Sequence, residues 1–216
     1  MRVAPRILAG IAAAVAGIAV PTARADDGPT FEATPFVGYR AGGRFEGERP
    51  LDSSEFEVDV KDGSSFGLDL GLYRDETSFY ELLYSRQEAG LDSREAALAG
   101  VDVRTEYLHF GGTLLFPRDR GYVPYLSLTL GATRLNALGG EYDSETNLSA
   151  SVGGGFRFPL GTNLAATLGV RAYVTLVDSD TDIFCISTGE NAGCLLKSSG
   201  NTFWQGEAQL GLTARF

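Results

Sequence analysis

The chain ends in Glu207-Ala-Gln-Leu-Gly-Leu-Thr-Ala-Arg-Phe216, and this stretch decides the fold. Ala208, Leu210, Leu212, Ala214 and Phe216 share one parity, and Glu207, Gln209, Gly211, Thr213 and Arg215 share the other. A strand sends successive side chains to opposite faces, so one face here is wholly apolar and the other polar or small. Working back from the C-terminus, the same period runs through 164–176 and 148–158. It continues, with more noise, through 124–133, 107–116, 80–85, 66–73 and about 31–45. These eight segments suit tilted membrane-spanning strands of about 9–11 residues. Their connections alternate in length. Short ones fall at 74–77, 117–121 and 159–163, and long ones at about 46–63, 87–102, 134–147 and 177–202. That alternation predicts an all-β, eight-stranded antiparallel up-and-down transmembrane barrel, with short periplasmic turns, long extracellular loops and both termini on the short-turn side.

Composition agrees. Glycine numbers 28 in 216 residues, against roughly 15 at an average usage of about 7%, and 13 Phe and 9 Tyr argue against a helical bundle. A formal charge of −10 makes nucleic acid an improbable partner. No apolar run is long enough for a spanning helix of about 20 residues.

The N-terminus reads as an export signal. Arg2 and Arg6 precede an unbroken Ile/Leu/Ala/Gly/Val run from Ile7 to Val20, and Pro21 and Ala23-Arg24-Ala25 supply a signal-peptidase site. A permanent anchor is the alternative, but the run is short for one. Cleavage after Ala25 leaves a barrel domain at 26–216. It removes three arginines and no acid, moving the formal charge from −10 to −13.

A soluble lipocalin-like barrel also alternates, with its apolar parity turned inward. Here the other parity is rich in Gly, Ser and Thr with isolated charges, which suits a narrow lumen. The apolar rows run too long to face water. Phe116, Tyr122, Phe156, Phe158 and Phe216 gather near strand ends, as at a bilayer interface.

On these residues the chain resembles the small outer-membrane β-barrel superfamily of Gram-negative bacteria, typified by the OmpA, OmpX and OmpW barrels. The resemblance covers 26–216. Gln209, Gly211 and Phe216 resemble the C-terminal signal read by the outer-membrane assembly machinery; Ala214 departs from it, since a larger apolar residue is usual there. The resemblance implies an outer-membrane location. It also implies outer-membrane lipid, lipopolysaccharide and the assembly machinery as partners.

The parity turns Arg40, Asp69, Glu81, Arg157, Arg171, Glu207 and Arg215 inward, with Glu32 and Arg44 nearer the ends. Charges in a cramped interior are costly unless paired. An internal ion-pair lattice that plugs the lumen is therefore expected, and a gated, selective constriction is the alternative. His109, the only histidine, also faces inward. No accompanying motif suggests a nucleophilic triad, so no enzyme activity and no cofactor are expected.

The loop at 46–62 carries seven acids against Arg49 and Lys61, a solvated rim that invites comparison with divalent-cation sites. Its Phe56–Val60 portion alternates and is expected to extend strands above the bilayer. Asp178, Asp180 and Asp182 are spaced two apart, but the loop lacks the mid-loop Gly and the twelfth-position Glu of a hard-cation loop, so no metal site is assigned. Cys185 and Cys194, in an exported chain, read as a local disulfide. The leading expectation is a plugged structural barrel displaying acidic loops to an extracellular ligand. A narrow pore for small solutes comes second, and a lipid-modifying enzyme third.

Overall fold

The computed structural model describes residues 30–48, 55–92, 102–117, 121–138, 144–177, 182–188, 191–198 and 202–216. The expected export signal at 1–25, together with Asp178 and Asp180, lies outside these residues.

Eight long strands form the wall: β1 (Phe31–Ala41), β4 (Gly63–Asp75), β5 (Ser78–Asp92), β6 (Asp102–Leu115), β7 (Val123–Leu138), β8 (Glu145–Pro159), β9 (Leu164–Leu176) and β12 (Thr202–Arg215). Each pairs antiparallel with its neighbours, and the ring closes where β1 pairs with β12, setting Arg40 opposite Glu207. Closure leaves no unpaired edge for a bilayer to desolvate, which is the condition for spanning one with strands.

The alternation of the sequence becomes the two faces of the wall. Leu128 and Val170 are 65% and 66% exposed, as are Leu108, Phe110, Leu130 and Leu210 to similar degrees, while Ser127, Thr129, Ser151 and Thr167 between such residues are buried. The apolar rows therefore face outward, the reverse of a lipocalin. Phe116, Phe156, Phe158 and Phe216 are exposed at the short-turn end, and Tyr122 packs edge-on to Phe156 at 5.5 Å. Narrowness explains part of the glycine excess. At inward-facing Gly67, a Cβ would overlap the Phe36 ring and the Tyr84 carbonyl.

Two features depart from the sequence reading. The first strand does not run on to residue 45. Gly42 and Gly43 adopt φ of +83° and +112°, left-handed values that glycine tolerates best, and they break β1 from a separate hairpin of β2 (Arg44–Glu48) and β3 (Glu55–Val60). A second hairpin, β10 (Asp182–Thr188) and β11 (Asn191–Ser198), pairs through β11 with β2, and β3 pairs with β5. Much of the first and last long connections is thus a small sheet at one end of the barrel.

The other departure is an exchange of faces. On β7 the apolar residues up to Ala132 point out, whereas beyond Thr133 the buried residues are Leu135 and Ala137 and Arg134 is exposed. On β6, Val103 is buried beside exposed Asp102, and on β5, Leu91 is buried beyond Arg86 and Glu88. The interior is therefore not polar throughout: this end of the wall carries polar side chains outside and an apolar core inside.

Candidate functional site: the filled lumen

The sequence-assigned inward charges come together in tiers. In the middle tier, Arg40 of β1 is fully buried, with its guanidinium over the rings of Tyr107 (4.9 Å) and Tyr173 (5.1 Å). Its Nε and Nη2 donate to Glu207 Oε1 at 3.2 and 2.9 Å, and Nη2 also reaches the Ser85 hydroxyl. Glu207 Oε2 accepts from the Tyr173 hydroxyl at 2.7 Å and from Gln209 Nε2 at 2.6 Å. The Tyr107 hydroxyl donates to Gln205 Oε1 at 2.9 Å. Charge, cation–π contact and hydrogen bonds thus converge on the β1–β12 seam, where burial makes each most consequential.

Below it, Arg171 Nη2 donates to Glu81 Oε1 at 2.6 Å and Nη1 to Ser151 at 3.1 Å. Asp69 lies at the margin of this pair, 4.0 Å from Arg171. At the short-turn end, Arg157 forms a fork with Glu32 at 2.8 and 2.7 Å, and Glu32 Oε2 also accepts from the Tyr73 hydroxyl at 2.7 Å. Arg215 differs from the other arginines of the set. Its guanidinium lies 3.9 Å from the Tyr73 ring centroid, and no carboxylate among the described residues lies within ion-pair distance of it. Arg44 pairs outside the lumen, with exposed Asp59 at 2.9 Å.

His109 is buried, with Nδ1 3.0 Å from the Thr129 hydroxyl and Nε2 2.8 Å from the Ser149 hydroxyl. Both nitrogens thus meet hydroxyls, and among the described residues no carboxylate is hydrogen-bonded to the ring in the way a triad requires.

Sequence reasoning missed the opposite end. Val58 and Val60 of β3 are buried with Leu91, Val103, Leu135, Ala137, Val177 and Phe203. The β2–β3 hairpin therefore closes the wide-loop mouth with an apolar cap. Gly42 N donates to Asp62 Oδ1 at 3.1 Å and Gln205 Nε2 donates to the Gly42 carbonyl at 3.2 Å, fixing the hairpin base to the wall. The available signal was the parity reversal after Thr133. Tyr107 and Tyr173 were legible as inward-facing, but their stacking at 4.1 Å between centroids depends on curvature.

In the loops, the β10–β11 register sets Cys185 directly opposite Cys194. The β2–β3 register sets Glu46 opposite Glu57 and Glu48 opposite Glu55, and β3–β5 sets Asp59 opposite Asp92. Among the described residues no group of three or more His, Cys, Asp or Glu is placed to hold a metal ion.

The family described as outer membrane protein beta-barrel domain matches residues 10–216. Among solved structures, AlkL in DMPC lipid bilayers aligns with a TM-score of 0.60 at 12% identity, over 90% of this chain and 93% of AlkL. OprG from Pseudomonas aeruginosa gives 0.59 at 11% identity, over 87% and 96%. Neisserial surface protein A gives 0.51 at 15%, over 87% and 97%. At such identities the likeness is one of fold. No curated protein sequence matches the chain.

Proposed function

This chain belongs to the outer membrane protein β-barrel family and is an outer-membrane barrel, and we propose that it acts as a closed structural and surface-interaction barrel, not as an open channel. One observation carries the reading: the lumen is occupied along its length. The Val58 cap, the Arg40–Glu207 tier, the Arg171–Glu81 tier and the Arg157–Glu32 fork succeed one another, with Arg40 0% exposed. Eight strands enclose a space that side chains can fill.

In this reading residues 1–25 direct export and are removed. The short turns face the periplasm, and the two hairpins stand outside the cell among lipopolysaccharide headgroups. Cys185 and Cys194 form a disulfide that staples the outer hairpin, which together with the acidic β2–β3 hairpin meets an extracellular ligand. Gln209, Gly211 and Phe216 present the C-terminal strand to the assembly machinery. No cofactor takes part and no reaction is catalysed.

Planar-bilayer conductance tests the closed lumen. The expected result is no steady current at modest voltage; a stable, ion-selective current rejects the plug. A second reading, a gated pore for small solutes, is favoured by the paired glycines Gly42 and Gly43 at the base of the capping hairpin. Locking that hairpin would then reduce liposome uptake, whereas a static plug gives none to reduce. Unchanged lipid A profiles after His109→Ala are the outcome expected of a barrel without lipid chemistry.

A further inference from the structure

At the short-turn end the lumen opens into a cavity of about 160 Å³. Its hydrogen-bonding groups are unevenly spent. Both oxygens of Glu32 are engaged, by the Arg157 fork and the Tyr73 hydroxyl. Arg157 spends both Nη atoms on Glu32, so the cationic group left on the lining is Arg215, which lies against Tyr73 and meets no carboxylate among the described residues. Two arginines against one glutamate leave the lining with an excess positive charge. Leu115, Val123, Pro159, Leu164 and Ala165 supply an apolar part of the lining, and Thr162, Asn163 and Thr213 a polar part. The β8–β9 turn forms the rim and is tied to the last strand by Arg215 N donating to the Asn163 carbonyl at 2.9 Å.

We infer that this mouth binds the carboxylate of a small acid bearing a short apolar substituent, the group presented by the C-terminus of a peptide ending in a small residue. The Arg215 guanidinium, with no carboxylate of its own among the described residues, calls for an anionic acceptor, and its planar fork matches a carboxylate. The apolar part of the lining takes the substituent. A cavity of roughly 150 Å³ holds a benzene-sized molecule, so the occupant is limited to one small residue. The inference does not depend on whether the lumen conducts.

The test is an amide chemical-shift titration of the folded barrel in micelles with N-acetylalanine, against N-acetylalaninamide at matched ionic strength. Saturable shifts at Asn163 and Thr213 with the acid alone are expected. Arg215→Gln should weaken binding about tenfold, the loss of one charge-assisted contact. Because Arg215 lies in the C-terminal assembly strand, Ala165→Phe provides a second variant: it fills the cavity and leaves that strand intact. Heat-modifiable migration establishes that each variant is folded. Linear shifts, equal response to the amide, or binding that survives both substitutions would overturn the site.

Discussion

Replacing Glu207 by alanine strands Arg40 in the middle of the barrel. The carboxylate receives two bonds from Arg40 and one each from Tyr173 and Gln209, with the Ser85 hydroxyl a further 3.1 Å contact. Both side chains of the ion pair are 0% exposed, so water cannot replace the lost partner without opening the wall. Removing one member of a buried pair costs about 3–5 kcal/mol, chiefly because the remaining charge is uncompensated. The other donors add to this, but not arithmetically, since they share one acceptor. Trp204, the only tryptophan, sits three residues away on the exposed face and serves as the probe. Urea unfolding in micelles, followed by its fluorescence, should place Glu207→Ala at least about 3 kcal/mol below the parent. Arg40→Ala/Glu207→Ala should then lose about 2 kcal/mol less than the two single changes added together, because no charge remains stranded. A single-variant loss below about 1 kcal/mol, or additivity within about 0.5 kcal/mol, refutes the argument that the tier acts as a unit.

Gly43→Ala places a Cβ 2.8 Å from the Phe203 ring at a φ of +112°; a loss of about 1–3 kcal/mol in the same assay is expected. Asp75, at the tip of the β4–β5 turn and clear of the bilayer, accepts from Ser78 Oγ and from the Thr77 amide and hydroxyl. The Ser78 hydrogen bond, with those from Thr77, lowers its pKa from 3.8 to about 2. Its contribution is therefore complete above the unfolded value and lost as pH falls through about 2, so Asp75→Asn should flatten that part of the melting-temperature profile. Val58→Asp buries a charge in the apolar cap and should release the β2–β3 hairpin, read as new protease cleavage within 44–60 while the barrel stays heat-modifiable. Cys185→Ser should make the β10–β11 hairpin cleavable without reductant, by removing a constraint of about 2–3 kcal/mol.

The wall was legible because period-two alternation is a direct imprint of a two-faced strand: Leu128 and Thr129, or Val170 and Arg171, face the sides their parity predicts. The lumen charges were legible for the same reason, but their partners were not. Arg40 and Glu207 lie 167 residues apart and meet only because the first and last strands close the ring. Arg215 shows the limit of counting signs, since an inward arginine at the mouth rests on Tyr73 instead of a carboxylate. The apolar cap escaped notice because the alternation was read as having one meaning along each strand, whereas Leu135 and Ala137 invert it. The hairpin boundary was hidden for a more local reason: Gly42-Gly43 resembles any glycine in a barrel strand until its backbone angles are seen.

That inversion makes the β5–β7 strands a built-in depth gauge. A slip of one residue turns grease into the packed polar lumen and charges out into lipid below the crossover and, at the same time, evicts the little dry core above it, so both halves of the strand veto the error. A slip of two keeps every side chain on its proper side but moves the crossover by about 6–7 Å along the strand, out of line with its neighbours. Pairing order and immersion are therefore written in one code, and an insertion that upset either would betray itself in both.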